Sequence, residues 1–366
     1  VGFKEKIKIF WPAGLVFLIA AGFVVWRLSL KEWDPLALAE LGSRYQDGDP
    51  NGSMGYDGQF AYYMAVDPDP DEVKAHLDVA AYRYQRILYP LLARLLALGN
   101  TQWIPWALIL VNILSQVIGT AFLARYFASQ NIPSRYALIY GLWVGLITGI
   151  GADLFEPLAF AFIITGLYAH NQQHKGLGYF LLGCALFTKE TSLPFWAAAL
   201  MADVLAEKRS WRSFLGLLPA IVYALWQVWL FREFGMFGLQ SGGDMATSFE
   251  WIPYGGFLHI GSVDLQLLGF YFLIFGPTIL LPNLWGTIVS ARELILGDRH
   301  VQNWSLLLNT LFVTFLPFST FREPLGLLRI STGMVVSILL FAAYKGLRRP
   351  MNMGMFWIAL LFIYFR

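Results

Sequence analysis

The stretch IPWALILVNILSQVIGTAFLAR, residues 104–125, carries no charge before its final arginine and is long enough to cross a bilayer as one helix. About 20 apolar residues cover roughly 30 Å of hydrocarbon. A lipid-embedded segment must also satisfy its own backbone, which a helix does internally. Working outward, the same pattern returns at 9–29, 136–152, 156–170, 177–188, 192–206, 213–232, 264–290, 303–320, 325–344 and 351–365. Composition agrees, with 57% hydrophobic and 14% charged residues, against about 25% charged in a soluble domain. The reading predicts an all-α polytopic membrane protein with about 11 transmembrane helices.

Three regions follow. Residues 1–30 form an N-terminus and a retained first helix, residues 31–103 a long loop, and residues 104–366 a multi-helix body. Lys and Arg concentrate in cytoplasmic loops, so Lys4, Lys6 and Lys8 predict a cytoplasmic N-terminus. Counting helices from there puts Arg125, Arg135, Lys175, the Lys208–Arg209 and Arg212 cluster, Arg292, Arg299, Lys345, Arg348 and Arg349 on that same side. The count sends the 31–103 loop, the 233–263 loop and the charges at 153–156, 189–190 and 322–329 to the external face. Charges that interrupt apolar stretches therefore share one side, which predicts a single external pocket.

Several classes of function are excluded. A net charge of +2 and the lack of a dense basic stretch give no nucleic-acid surface. Cys184 is the single cysteine, which rules out an internal disulfide and any multi-cysteine metal site. No glycine-rich loop between strand and helix is available for a nucleotide, so energy must arrive in an activated substrate.

Within the loop, Trp33–Gly42 and Asp71–Leu98 are expected to be interfacial helices, the second with Tyr82, Leu88, Leu92 and Leu95 as a membrane-facing stripe. Asp47–Gly52 has the start of a calcium loop but lacks its distal glutamate, and reads as a turn. Asp57, in Gly55-Tyr56-Asp57-Gly58-Gln59, is either a plain turn residue or a rigidly held general base. Tyr56 and Gln59 beside it are candidate substrate contacts.

Arg83 and Arg86, three apart, can share a helix face and clasp a phosphate, or can snorkel to the interface. Lys189 and Glu190 interrupt an apolar block, where a charge costs about 3 kcal/mol unless paired or hydrated. They line a cavity or pair to stabilise a helix break. Arg322 and Arg329, two turns apart, are further candidates for a leaving phosphate, although Arg322 could instead pair with Glu323. Asp153, Glu156 and Glu190 are candidates for orienting an acceptor or holding a divalent cation, Mg or Mn. Glu156-Pro157-Leu158 and Glu323-Pro324-Leu325 repeat one tripeptide at expected helix starts, where proline needs no amide hydrogen. Both starts would aim amides at the pocket.

One early helix, a long loop with GYDGQ, then RYQRILYP and a multi-helix body together resemble the GT-C superfamily of integral membrane glycosyltransferases. The resemblance implies a polyprenyl-phosphate-linked sugar donor, a glycan, lipid or protein acceptor, and an acidic base in the first external loop. By position that base is Asp57, with Arg83, Arg86, Lys189, Arg322 and Arg329 available to the donor phosphate. It further implies inversion at the anomeric carbon and an active site on the extracytoplasmic face of the cell membrane. The loop has no Asp-x-Asp near Asp57, so no metal is assigned. The competing reading is a secondary transporter or lipid flippase, which also places charges in the membrane. The single 31–103 loop has no counterpart in the second half of the chain, and that asymmetry favours an enzyme.

Overall fold

The computed structural model describes residues 3–206, 211–243 and 245–364. Lys208 and Arg209 lie outside them, as do the side chains of Lys4 and Arg212. Among the described residues the chain is 77% helix with no strand. Five helices are long and apolar enough to cross a membrane: Glu5–Ser29, Thr101–Ser129, Phe214–Phe234, Leu265–Ile295 and Pro324–Tyr344. The protein is all-α and multi-pass.

Several expected spans are shorter or interrupted. The 136–152 stretch divides into Ala137–Gly141 and Val144–Gly151. At the break Trp143 is extended, and its indole Nε1 donates to the Leu328 carbonyl at 3.1 Å and to Thr332 Oγ1 at 3.0 Å. A Cβ on Gly145 would stand 2.5 Å from that same carbonyl, so the glycine is what lets Val144–Gly151 approach Pro324–Ile330. Between Lys175–Thr188 and Leu193–Val204 the helix does break: Lys189 is extended and Glu190–Ser192 forms a 3-10 turn. Residues 264–290 belong to a longer helical run, Leu265–Ile295, with a π-helical turn at Gly276–Leu280. The expected 303–320 helix stops at Thr314, and Phe318–Arg322 is separate. The last expected span is Arg348–Gly354, a 3-10 stretch Met355–Leu360 and Leu361–Tyr364.

Residues 31–103 fold into a layer on one end of the bundle. Helices Gly58–Val66 and Leu88–Leu96 pack on each other and on Ile104–Ser129. Phe60, Met64, Tyr84, Tyr89 and Phe155 form their shared core. Arg94 caps the first of these helices through the Ala65 carbonyl at 3.0 Å, as a cation at a helix C-terminus should. Trp33–Gly42 is not the expected helix, since only Pro35–Leu38 makes a 3-10 turn. Asp71–Leu98 is not continuous either. Leu77 and Val79 are extended, and Asp78 Oδ1 accepts the Val79 amide at 2.7 Å, a local bond that competes with helix. The chain resumes at Ala80–Tyr84 and Leu88–Leu96. Asp49 Oδ1 accepts the Asn51 amide at 2.9 Å, a side-chain turn of the kind expected over 47–52.

Candidate functional site

The Gly55–Gln59 motif is held in place by its two glycines. Gly55 has φ +64, a left-handed conformation that side chains disfavour. A Cβ on Gly58 would stand 2.1 Å from the Ala152 carbonyl, so only glycine lets the helix Gly58–Val66 begin against that turn. Gln59 fixes the motif from below, accepting the Gly42 amide at 3.0 Å and donating to the Met54 carbonyl at 2.7 Å. Asp57 stands at the N-cap of this helix but makes no capping bond. Its carboxylate is turned elsewhere.

Asp57 Oδ1 accepts from Arg83 Nη1 at 3.0 Å, and Oδ2 accepts from Arg329 Nη2 at 2.9 Å. Each guanidinium also serves a deeper carboxylate. Arg83 donates Nε and Nη2 to the two oxygens of Asp78, both at 2.7 Å, and lies over the Phe60 ring. Arg329 Nε donates to Glu156 Oε1 at 2.8 Å, an oxygen that also accepts from Lys189 Nζ at 2.6 Å. Arg86 is bidentate to Glu190, with Nε to Oε2 at 2.8 Å and Nη2 to Oε1 at 2.5 Å, and lies over Tyr82, whose hydroxyl it also touches. The Tyr56 hydroxyl accepts from Arg329 Nη1 at 2.7 Å and donates to Glu323 Oε1 at 2.9 Å.

These groups surround one cavity of about 550 Å³. Its wall draws on stretches 45–60, 78–86, 189–191 and 319–330, together with Gly243, Met245 and Ala246. Asp57, Arg83, Arg86, Lys189, Arg322 and Arg329 all line it, as the sequence predicts. Glu190, Tyr56 and Gln59 line it too. Among the described residues Arg322 makes no ion pair with Glu323 or any other carboxylate, although it lies near the Phe318 ring. Among the described residues it is the cavity cation without a carboxylate partner.

Burial alone would push the Asp57 carboxyl up, but Arg83 and Arg329, with Arg86 behind them, more than offset it and hold it well below the usual carboxylate range. Burial pushes the Tyr56 hydroxyl up. Asp57 is ionised but, while clasped, a weak base. Its side chain is 27% exposed, whereas those of Arg83 and Arg329 are 6% and 7% exposed. The carboxylate thus covers both cations from the cavity side.

Some expectations change. Arg83 and Arg86 do not share one anion, because each is committed to a different carboxylate. Lys189 and Glu190 do not pair with each other; they tie the helix break to Glu156 and Arg86. Arg322 and Arg329 do not sit on one continuous helix, because Glu323 is extended between them. Tyr82 belongs to the cavity and not to a membrane-facing stripe, of which Leu95 is the exposed member. Both Glu-Pro-Leu tripeptides do open helices, yet only the second reaches the wall, through Glu323 and Pro324. Glu156 lies behind the wall as the shared anchor of Lys189 and Arg329. Asp153 is fully buried and does not line the cavity, and neither of its carboxyl oxygens has a hydrogen-bond partner among the described residues. Asp78 is the member of the cluster that sequence reasoning missed. Its signal was a lone acid four residues ahead of the Tyr82-Arg83-Tyr84-Gln85-Arg86 run.

Comparison with known protein families, curated proteins and solved structures finds no match.

Proposed function

We propose that the protein is a membrane glycosyltransferase of the GT-C type, moving a sugar from a polyprenyl-phosphate donor to an acceptor hydroxyl, with Asp57 as general base. The observation that carries this reading is the cavity itself. A partly exposed carboxylate stands among cations delivered by remote parts of the chain, and the described residues, which include no strand, hold no strand-to-helix nucleotide loop.

In the proposed reaction Asp57 accepts the proton of the acceptor hydroxyl as its oxygen bonds to the anomeric carbon. The bond from that carbon to the phosphate oxygen breaks, its electron pair leaves with the lipid phosphate, and configuration inverts. Charge grows on the phosphate, so cations fixed in advance of the reaction lower the barrier without reorganising. Arg322, which holds no carboxylate among the described residues, offers the first contact. Arg83 and Arg329 each have a second, deeper carboxylate that keeps them in place when their outer bonds change. The lipid tail reaches the site from the bilayer. The N-terminus is cytoplasmic and the cavity extracytoplasmic on this reading, as the distribution of Lys and Arg favours.

Incubating the purified protein with radiolabelled polyprenyl-phosphate sugars and hydroxyl acceptors tests the reading. Transfer or donor cleavage supports it, and vectorial movement of intact donor between leaflets would assign the protein to transport instead.

A further inference from the structure

We propose that Asp57 is the resident occupant of the phosphate site: an entering phosphodiester replaces it on Arg83 and Arg329, and the carboxylate so released becomes the working base. This deepens the transferase reading and rests on it for the identity of the substrate, a lipid-linked phosphodiester.

The geometry carries the argument. Both oxygens of Asp57 are used, one per guanidinium, at 3.0 and 2.9 Å. Planar guanidiniums bind carboxylate and phosphate oxygens with the same fork of donors, so the two anions compete for one place. The inner donors of both arginines are already taken by Asp78 and Glu156. The donors that face the cavity are those that Asp57 holds, together with Arg329 Nη1, which meets the Tyr56 hydroxyl. A phosphate therefore gains these cations chiefly by displacing Asp57. The displacement is one-sided, because the inner carboxylates keep both arginines in position.

The consequence for the base follows from its surroundings. Arg83, Arg86 and Arg329 face Asp57 and favour its ionised form, while Tyr56 and Tyr82 stand beside them. Asp78, Lys189, Glu190, Arg322 and Glu323 complete the charged wall. Exchanging a pair of guanidinium bonds for an adjacent phosphate anion raises the affinity of Asp57 for a proton. The base is thus weak in the empty site and strengthened when donor is present.

Dodecyl methyl phosphate is a suitable probe, because its single charge does not titrate in the range used and it carries no sugar to transfer. Calorimetry of the purified wild-type protein between about pH 4 and 6, in buffers of different ionisation heat, should show proton uptake on binding. Asp57→Asn should abolish the uptake and bind the probe about tenfold more tightly or better, since its competitor is gone. Repeating that substitution in an Arg83→Lys background should give a smaller gain, because a lysine paired with Asp78 has no second fork to contest. Binding by wild type without proton uptake, or an undiminished Asp57→Asn gain in the Arg83→Lys background, overturns the exchange. The wild-type arm needs no variant to fold. The transfer assay fails or succeeds independently of it, so a failed exchange and a failed transferase reading give different results.

Discussion

At the scale of single residues, the cavity divides cations that look alike in sequence into different kinds. Arg83, Arg86, Lys189 and Arg329 each hold a carboxylate, while Arg322 holds none among the described residues. The sequence marked Arg83 with Arg86 and Arg322 with Arg329 by their spacing, and Lys189 because a charge in an apolar stretch is costly. It could not show their partners, since Arg86 meets Glu190 and Arg329 meets Asp57 only after folding. Asp57→Asn is expected to lower kcat by about 10²–10⁴, the usual contribution of a positioned base, in a single-turnover transfer assay. Arg322→Gln should raise the donor KM about tenfold and change kcat less, because a first-contact cation contributes mainly to binding. Steady-state kinetics with varied donor separate the two effects.

At the scale of elements, apolar periodicity located the long helices, whereas their interruptions depended on tertiary contacts. The Leu142–Trp143 break is fixed by an indole bonded to Leu328 and Thr332, and the Leu77–Val79 break by Asp78. A window of sequence contains neither partner of that indole. The helix Gly58–Val66 shows how an element positions chemistry, since its first residue touches the Ala152 carbonyl and so sets where Asp57 points. Gly58→Ala forces that helix away from the turn. Overpacking of this kind costs about 1–3 kcal/mol. The expected result is a lower midpoint in thermal unfolding together with at least about a tenfold loss of transfer, because the base shifts with its helix.

Across the whole molecule, the ion-pair network joins the loop layer to the bundle. Glu156 binds Lys189 at the helix break and Arg329 on the Pro324–Tyr344 span, and Arg329 in turn reaches Asp57 in the loop. That charges interrupting the apolar segments meet at one cavity was legible from the alternation of apolar and charged segments. The role of Glu156 as a shared buried anchor was not, because a carboxylate at a helix start reads equally well as solvated. Glu156→Ala would leave two buried cations without their common partner, at a cost of about 3–5 kcal/mol. Scanning calorimetry in detergent should show a clear drop in the unfolding temperature. On the proposed reading, the cavity receives a lipid-linked sugar phosphate between Asp57, Arg83, Arg322 and Arg329. Electron cryomicroscopy of the Asp57→Asn protein in lipid nanodiscs with a polyprenyl-phosphate sugar should show phosphate density within hydrogen-bond distance of Arg83 and Arg329; donor density elsewhere, with this cavity empty, would rule that binding mode out.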